Sequence, residues 1–169
     1  MTGEQRREQL IVVGRTLFAD NGFEATTVEE IAATADVSKP VVYEHFGGKE
    51  GLYAVVVDRE IRSLLGEITQ ALEVGGGARD LVEQATLALL DYIESDADGF
   101  RVLVRDSPAG QSTGPFASIL GDAATRVEHL LAAEFKARGL DPATAPMYAQ
   151  MLVGMVAFTG QWWLARGTF

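Results

Sequence analysis

Thr27-Val-Glu-Glu-Ile-Ala-Ala-Thr-Ala-Asp-Val-Ser-Lys-Pro-Val-Val-Tyr-Glu-His-Phe46 has the pattern of two short helices joined by a tight turn. Thr27 followed by Glu30 is the Ser/Thr-x-x-Glu pattern that opens a helix. Val28, Ile31, Ala32 and Ala35 return at helical spacing and give that helix one apolar face. Asp36-Val37 makes a tight turn, and Ser38 is a capping residue for a second helix. Pro40 falls in its first turn, where a missing N–H costs little. Val42 and Phe46 point inward and leave Ser38, Lys39, Pro40, Val41 and Tyr43 outside. Two short helices with a small shared core and a polar, uncrowded second helix form a helix-turn-helix pattern.

The chemistry fits DNA. The major groove, about 12 Å wide, admits one α-helix whose N-terminal end is free of bulky core residues. Val41 offers an apolar contact to a thymine methyl, and Lys39 reaches guanine or a phosphate. Tyr43 and His45 offer donors to phosphate oxygens. Lys49 starts the next helix and adds its charge to a positive helix end, a ready phosphate site. The Thr27 hydroxyl and the amides behind it make another. The pattern alone also occurs in helical bundles that bind nothing; Thr27 and Ser38 are caps in either case.

The charge balance opposes promiscuous binding. Lysine and arginine total 14 against 24 acids, a net of −10. Within residues 1–60, six basic residues face eleven acids. Phosphate neutralisation drives most non-specific affinity, so an acidic chain binds DNA through local contacts, within a Debye length of about 8 Å.

The flanking sequence is helical throughout, and the expected class is all-α. Leu10, Val13, Leu17 and Phe18 define a helix over 3–20, with Thr2 and Gln5 as a capping box and Asn21-Gly22 as its stop. Gly47-Gly48 ends the second helix of the motif, and a longer helix runs from Lys49 to about Leu72. Gly75-Gly76-Gly77 reads as a linker. Helices follow near 79–95, 98–106, 115–138 and 142–166, with Pro108, Pro115, Pro142 and Gly139 near their ends. The expected organisation is a helix-turn-helix domain over 1–48 and a helical domain over 49–169.

At this point a resemblance becomes specific. Leu17-Phe18, Gly22-Phe23, Thr26-Thr27-Val28, Ile31-Ala32, Val37-Ser38, Tyr43-Glu44-His45-Phe46 and Lys49-Glu50-Gly51-Leu52 are similar to the N-terminal domain of the TetR family of transcriptional repressors, over residues 6 to 57. The resemblance implies a homodimer that binds a palindromic operator and releases it when a small-molecule inducer enters the C-terminal domain. It places DNA contacts on Thr27, Ser38, Lys39, Pro40, Val41, Tyr43, His45 and Lys49. Asp36 replaces the usual glycine of the turn, and aspartate tolerates the left-handed conformation better than most residues. Glu29 stands where several relatives carry a polar or basic contact.

The C-terminal two-thirds resembles the family only in the order and length of its helices. Candidate ligand-binding residues are Tyr92, Phe100, Arg101, Leu103, Val104 and Arg105. The two arginines suit an anionic ligand, or alternatively solvent or salt bridges to Asp98 or Asp106. Candidate dimer-interface residues are Phe116, Leu120, Val127, Leu131, Met151, Gly154, Phe158 and Trp162. Tyr148, Leu152, Met155 and Thr159 share the last helix's apolar face, which reads as core or interface before ligand pocket. The sequence stops soon after Trp162-Trp163, so either a partner chain or residues beyond Phe169 are expected to cover them.

Cysteine is absent, which removes disulfides and thiolate metal sites. Neither His45 nor His129 has glutamate three residues before it, as a di-iron bundle requires. No nucleophile elbow or phosphate loop appears, and Asp96 with Asp98 lacks metal-ligand spacing. The expectation is a cytoplasmic DNA-binding regulator, not an enzyme, without metal, cofactor or membrane partner, and with a small-molecule effector. The alternative is a ligand-sensing or protein-interaction module with little DNA binding.

Overall fold

The computed structural model describes residues 2–105 and 114–167. Its helices are α1 (Gly3–Asn21), α2 (Val28–Thr34), α3 (Lys39–Phe46), α4 (Lys49–Leu72), α5 (Ala78–Ser95), α6 (Ala97–Arg105), α7 (Pro115–Ala137) and α8 (Ala145–Arg166). No strand occurs among the described residues, so the all-α class stands. The last helix starts later than its sequence suggests: Pro142–Thr144 is a separate 3-10 turn, with Asp141 Oδ1 accepting from the Ala143 amide at 3.0 Å. Pro108 and Asp106, both invoked above, lie outside the described residues.

The chain forms two compact units. The first holds the chain up to Arg62 together with α6 from Asp98; the second holds Ser63–Ala97 and the helices from α7 onward. Packing therefore divides the chain within α4, whereas the expected boundary between the two domains lay after residue 48.

The first unit closes over Leu10, Phe18, Ile31, Ala35, Val42, Leu52 and Val56, all at most 1% exposed. Each of the larger side chains contributes roughly 1.5–3 kcal/mol of transfer free energy. α1 begins with the expected capping box: the Gln5 amide donates to Thr2 Oγ1 at 3.2 Å, and Gln5 Oε1 accepts from the Thr2 amide at 2.8 Å. Thr26, fully buried, donates its hydroxyl to Gly22 O at 2.8 Å. The loop after α1 thus satisfies its own polar group. Arg15 and Glu60, 2.6 Å apart, tie α1 to α4, and Arg59 grips Glu8 with both nitrogens at 2.6 and 2.8 Å. That fork, first through its hydrogen bond, holds the Glu8 carboxyl below its ordinary range.

The joint between α3 and α4 is the tightest point. Gly47 (φ 72°) and Gly48 (φ 132°) turn the chain with left-handed backbone, a conformation glycine adopts without steric cost. A Cβ on Gly51 would stand 1.9 Å from the Phe46 carbonyl oxygen, so the end of α3 lies directly against the first turn of α4.

In the second unit α7 and α8 form an antiparallel pair covered by α5. α8 turns Ala145, Ala149, Ala157 and Gly160 inward, and these small residues let α7 approach. Gly139 (φ 72°) ends α7. The Leu140 amide returns to Phe135 O at 2.8 Å, the usual closure of a left-handed helix end.

Gly51→Ala should force α3 away from α4. The expected cost is about 3 kcal/mol, at the upper end for overpacking, read as a lower urea midpoint. An unchanged midpoint would remove the carbonyl contact as the constraint at this joint.

Candidate DNA-binding surface

The helix-turn-helix core is built as its pattern requires. Val28, Ile31, Ala32 and Ala35 are buried on α2 and its cap, and Val42 is fully buried on α3. Thr27 Oγ1 accepts from the Glu30 amide at 3.1 Å; the Glu30 carboxylate, however, turns to Asn21 Nδ2 at 3.1 Å, so only half of the capping box forms here. Asp36 has φ 52°, the left-handed conformation glycine would otherwise supply. The Val37 amide donates to Ala32 O at 2.9 Å and closes the turn.

Ser38 departs from its expected role. It sits at the N-cap of α3 with extended backbone, yet its side chain makes no capping hydrogen bond. The cause is next door. A capping oxygen accepts from the second or third helical amide. Here the second residue is Pro40, which has no N–H, and the third amide, Val41, donates to Ser38 O at 3.0 Å. The Ser38 hydroxyl is left on the exposed side of the helix.

Ser38, Lys39 and Pro40 are exposed, Val41 is half-buried, and Tyr43 is 54% exposed. His45 is half-buried near the end of α3, and Thr27 is exposed at the start of α2. Two α1 side chains brace this surface from behind. Arg7 donates to His45 O at 3.3 Å. Its guanidinium stacks 4.4 Å from the Phe46 ring centre, a cation–π contact. Gln9 donates to Ala35 O at 3.1 Å. Neither role is visible in local spacing, because both partners lie more than 25 residues away.

Lys49 requires a correction. Its ammonium donates to the carbonyls of Phe23 at 2.9 Å, Glu24 at 3.3 Å and Thr26 at 3.0 Å, and lies 4.4 Å from the Phe23 ring centre. An ammonium has three N–H donors, and all three are directed at the loop between α1 and α2. Lys49 is a structural clasp in this geometry rather than a free phosphate ligand. Lys39, by contrast, pairs with the Glu29 carboxylate across the two helices, both side chains more than half exposed.

The ligand candidates also move. Arg105 donates to Ala19 O at 2.8 Å and Arg101 pairs with Asp98 at 2.6 Å, both within the first unit. Phe100, Leu103 and Val104 are buried in that same unit, and Tyr92 is buried in the second. None of the six lines the cavity found in the second unit. That cavity, of about 120 Å³, is bounded by Leu64 and Ile68 of α4, by α5, by α7 and by α8. Its α5 wall is Val82, Ala85, Thr86 and Leu89, a helical stripe legible in the sequence but not selected from it.

The interface candidates divide. Phe116, Leu120 and Val127 line the cavity instead of an outer face. Leu131 and Gly154 are half-buried. Met151, Phe158 and Trp162 are 54%, 58% and 57% exposed, joined on α8 by Met147 and Met155 at 56% and 58%. Among the described residues, no His/Cys/Asp/Glu cluster could hold a metal ion, and no helix is long and apolar enough to cross a membrane.

Lys49→Ala should lower the stability of the first unit by about 2 kcal/mol, from the loss of charge-assisted hydrogen bonds. The salt dependence of DNA binding should keep its slope. A slope shallower by about one charge would return Lys49 to the phosphate-binding set.

The surface can be set beside known proteins. Residues 10–56 match the family model for bacterial regulatory proteins of the tetR family. The chain is 32% identical over 163 residues to the HTH-type transcriptional activator FasR of Mycolicibacterium smegmatis, spanning 95% of this chain and 73% of that protein. It is 32% identical over 89 residues to the HTH-type transcriptional repressor KstR2 of the same organism, covering 53% of this chain and 43% of the relative. The crystal structure of a TetR-like transcriptional regulator from Rhodococcus sp. RHA1 superposes with a TM-score of 0.80 at 25% identity, over 97% of this chain and 86% of that one. The chain belongs to the TetR family and is a DNA-binding regulator of transcription.

Proposed function

We propose that the chain acts as a homodimeric repressor that binds a palindromic operator through α3 and releases it when an apolar small molecule enters the second unit. The observation that carries the reading is the exposed N-terminal half of α3, held on a rigid frame by α1, α2 and α4. Thr27, Ser38, Lys39, Pro40, Val41, Tyr43 and the half-buried His45 supply the contacts; Lys49 holds the frame. Two recognition helices must stand about 34–36 Å apart to enter successive major grooves, so one chain alone gives only a half-site.

The exposed stripe of Met147, Met151, Met155, Phe158 and Trp162 on α8 supports a self-complementary interface. The apolar cavity supports the effector site and its chemistry. Its lining contains no charged residue, and Thr86 is its one hydroxyl. Thr86 already donates to Val82 O at 2.8 Å. Its hydroxyl therefore retains only acceptor capacity. A short alkyl chain suits such a space, which at about 120 Å³ is somewhat smaller than the roughly 150 Å³ that holds benzene. Leu64 and Ile68 place α4 on the cavity wall, and the same helix begins at the α3 joint. Effector entry would tilt α4 and change the spacing of the two recognition helices.

Gel shifts on DNA upstream of the chain's own coding region test the reading, with sedimentation to report oligomeric state. Tyr43→Ala should weaken binding about tenfold and leave the dimer intact. Phe158→Glu should give monomers that no longer shift DNA. Normal DNA affinity in both variants would overturn the arrangement.

Hexanol serves as an apolar probe for the cavity. It should raise the wild-type thermal midpoint and leave that of Ala123→Phe, which fills the cavity, unmoved. Equal shifts would place the probe elsewhere.

A further inference from the structure

The recognition surface carries a built-in counter-charge. We infer that Glu29 is a specificity-determining residue: its carboxylate neutralises Lys39 at the start of α3 and so suppresses binding to DNA of arbitrary sequence.

The geometry supports this in three ways. Lys39 is the first residue of α3, and Glu29 is the second of α2, so their contact bridges the N-terminal ends of both helices of the motif. The side chains are 53% and 61% exposed, so neither charge is needed to satisfy a buried partner. An exposed pair of this kind adds little to stability. In the free chain the hydrogen bond from Lys39, then one from backbone, holds the Glu29 carboxyl below the ordinary range, so the counter-charge is present before DNA arrives.

The neighbouring cations sharpen the effect. In the first unit Arg15, Arg59, Arg62 and Arg101 each face a carboxylate. Lys49 and Arg105 face backbone carbonyls. Arg7 faces the His45 carbonyl and Arg6 the Gln9 side chain, both from α1; Lys39 is the lysine or arginine carried by α3 itself, and it is the one that Glu29 holds. Affinity for arbitrary sequence rests on cations that displace counterions from phosphates. A regulator is judged by its preference for its site over the many competing sites of a genome. Binding at the correct site can exchange the Glu29 partner for a base edge; elsewhere only the sequence-independent phosphate remains to offset loss of the pair.

Glu29 near the start of α2 also complements that helix dipole. That role would affect stability alone and would not change how DNA affinity depends on salt.

Fluorescence anisotropy with a random-sequence duplex of about 30 base pairs, across a salt series, separates the two roles. Each phosphate neutralised adds about 0.9 to the slope of log K against log salt. Glu29→Gln, which keeps the shape and removes the charge, should steepen the slope by about that amount. By the same relation it should tighten binding roughly eightfold at about 0.1 M salt. In a Lys39→Met background the same substitution should leave the slope unchanged, because no cation is released to the phosphates. The duplex best bound by wild type, selected from a random pool, should lose several-fold of its preference over random DNA in Glu29→Gln. An identical slope in wild type and Glu29→Gln overturns the inference, as does a steepening that persists without Lys39.

Discussion

Residue 51 has no room for a side chain, and much of the DNA-binding unit depends on that. The Phe46 carbonyl at the end of α3 occupies the space where a Cβ would stand. A helix of eight residues is too short to hold itself in water. α3 persists because Val42 is buried, because Arg7 stacks on Phe46, and because the backbone of α4 is pressed against its last turn. The contact makes the orientation of α3 a property of the first turn of α4. Lys49, in that same turn, grips three carbonyls of the loop before α2. Both helices of the motif are thus referenced to one end of one helix.

α4 carries Leu52 and Val56 in the core of the first unit, and Leu64 and Ile68 beside the cavity of the second. The cavity is lined by apolar side chains, with Thr86 its one hydroxyl. The DNA-binding unit uses the opposite chemistry, where most cations are committed to carboxylates or carbonyls and little charge is free for the phosphate backbone.

The legible and illegible residues differ in a physical way. Helix ends at Thr2, Asn21, Thr27 and Gly139 follow from amides and carbonyls a few residues away, so their reading needs no fold. Asp36 belongs with them, since its left-handed backbone is a local preference. Ser38 is instructive: its capping bond fails because Pro40 lacks an amide hydrogen, a reason present in the sequence but overlooked when each residue is read by its usual habit. Arg101 takes the Asp98 salt bridge that its spacing allowed, whereas Arg105 and Lys49 differ from their reading for another reason. A long cationic side chain finds whichever acceptor the fold brings within reach, and no spacing encodes that.

The class, most of the helix boundaries, the turn at Asp36 and the place of residues 27–46 in a DNA-reading motif are legible in the sequence, because these rest on periodicity and on hydrogen bonds between near neighbours. Only the tertiary structure decided which apolar faces meet. It put Phe116, Leu120 and Val127 around a cavity, left Met151, Phe158 and Trp162 facing outward, and set Glu29 against Lys39. An apolar stripe buries equally well against its own chain, a ligand or a partner. The choice among them is made by the helices that happen to stand alongside.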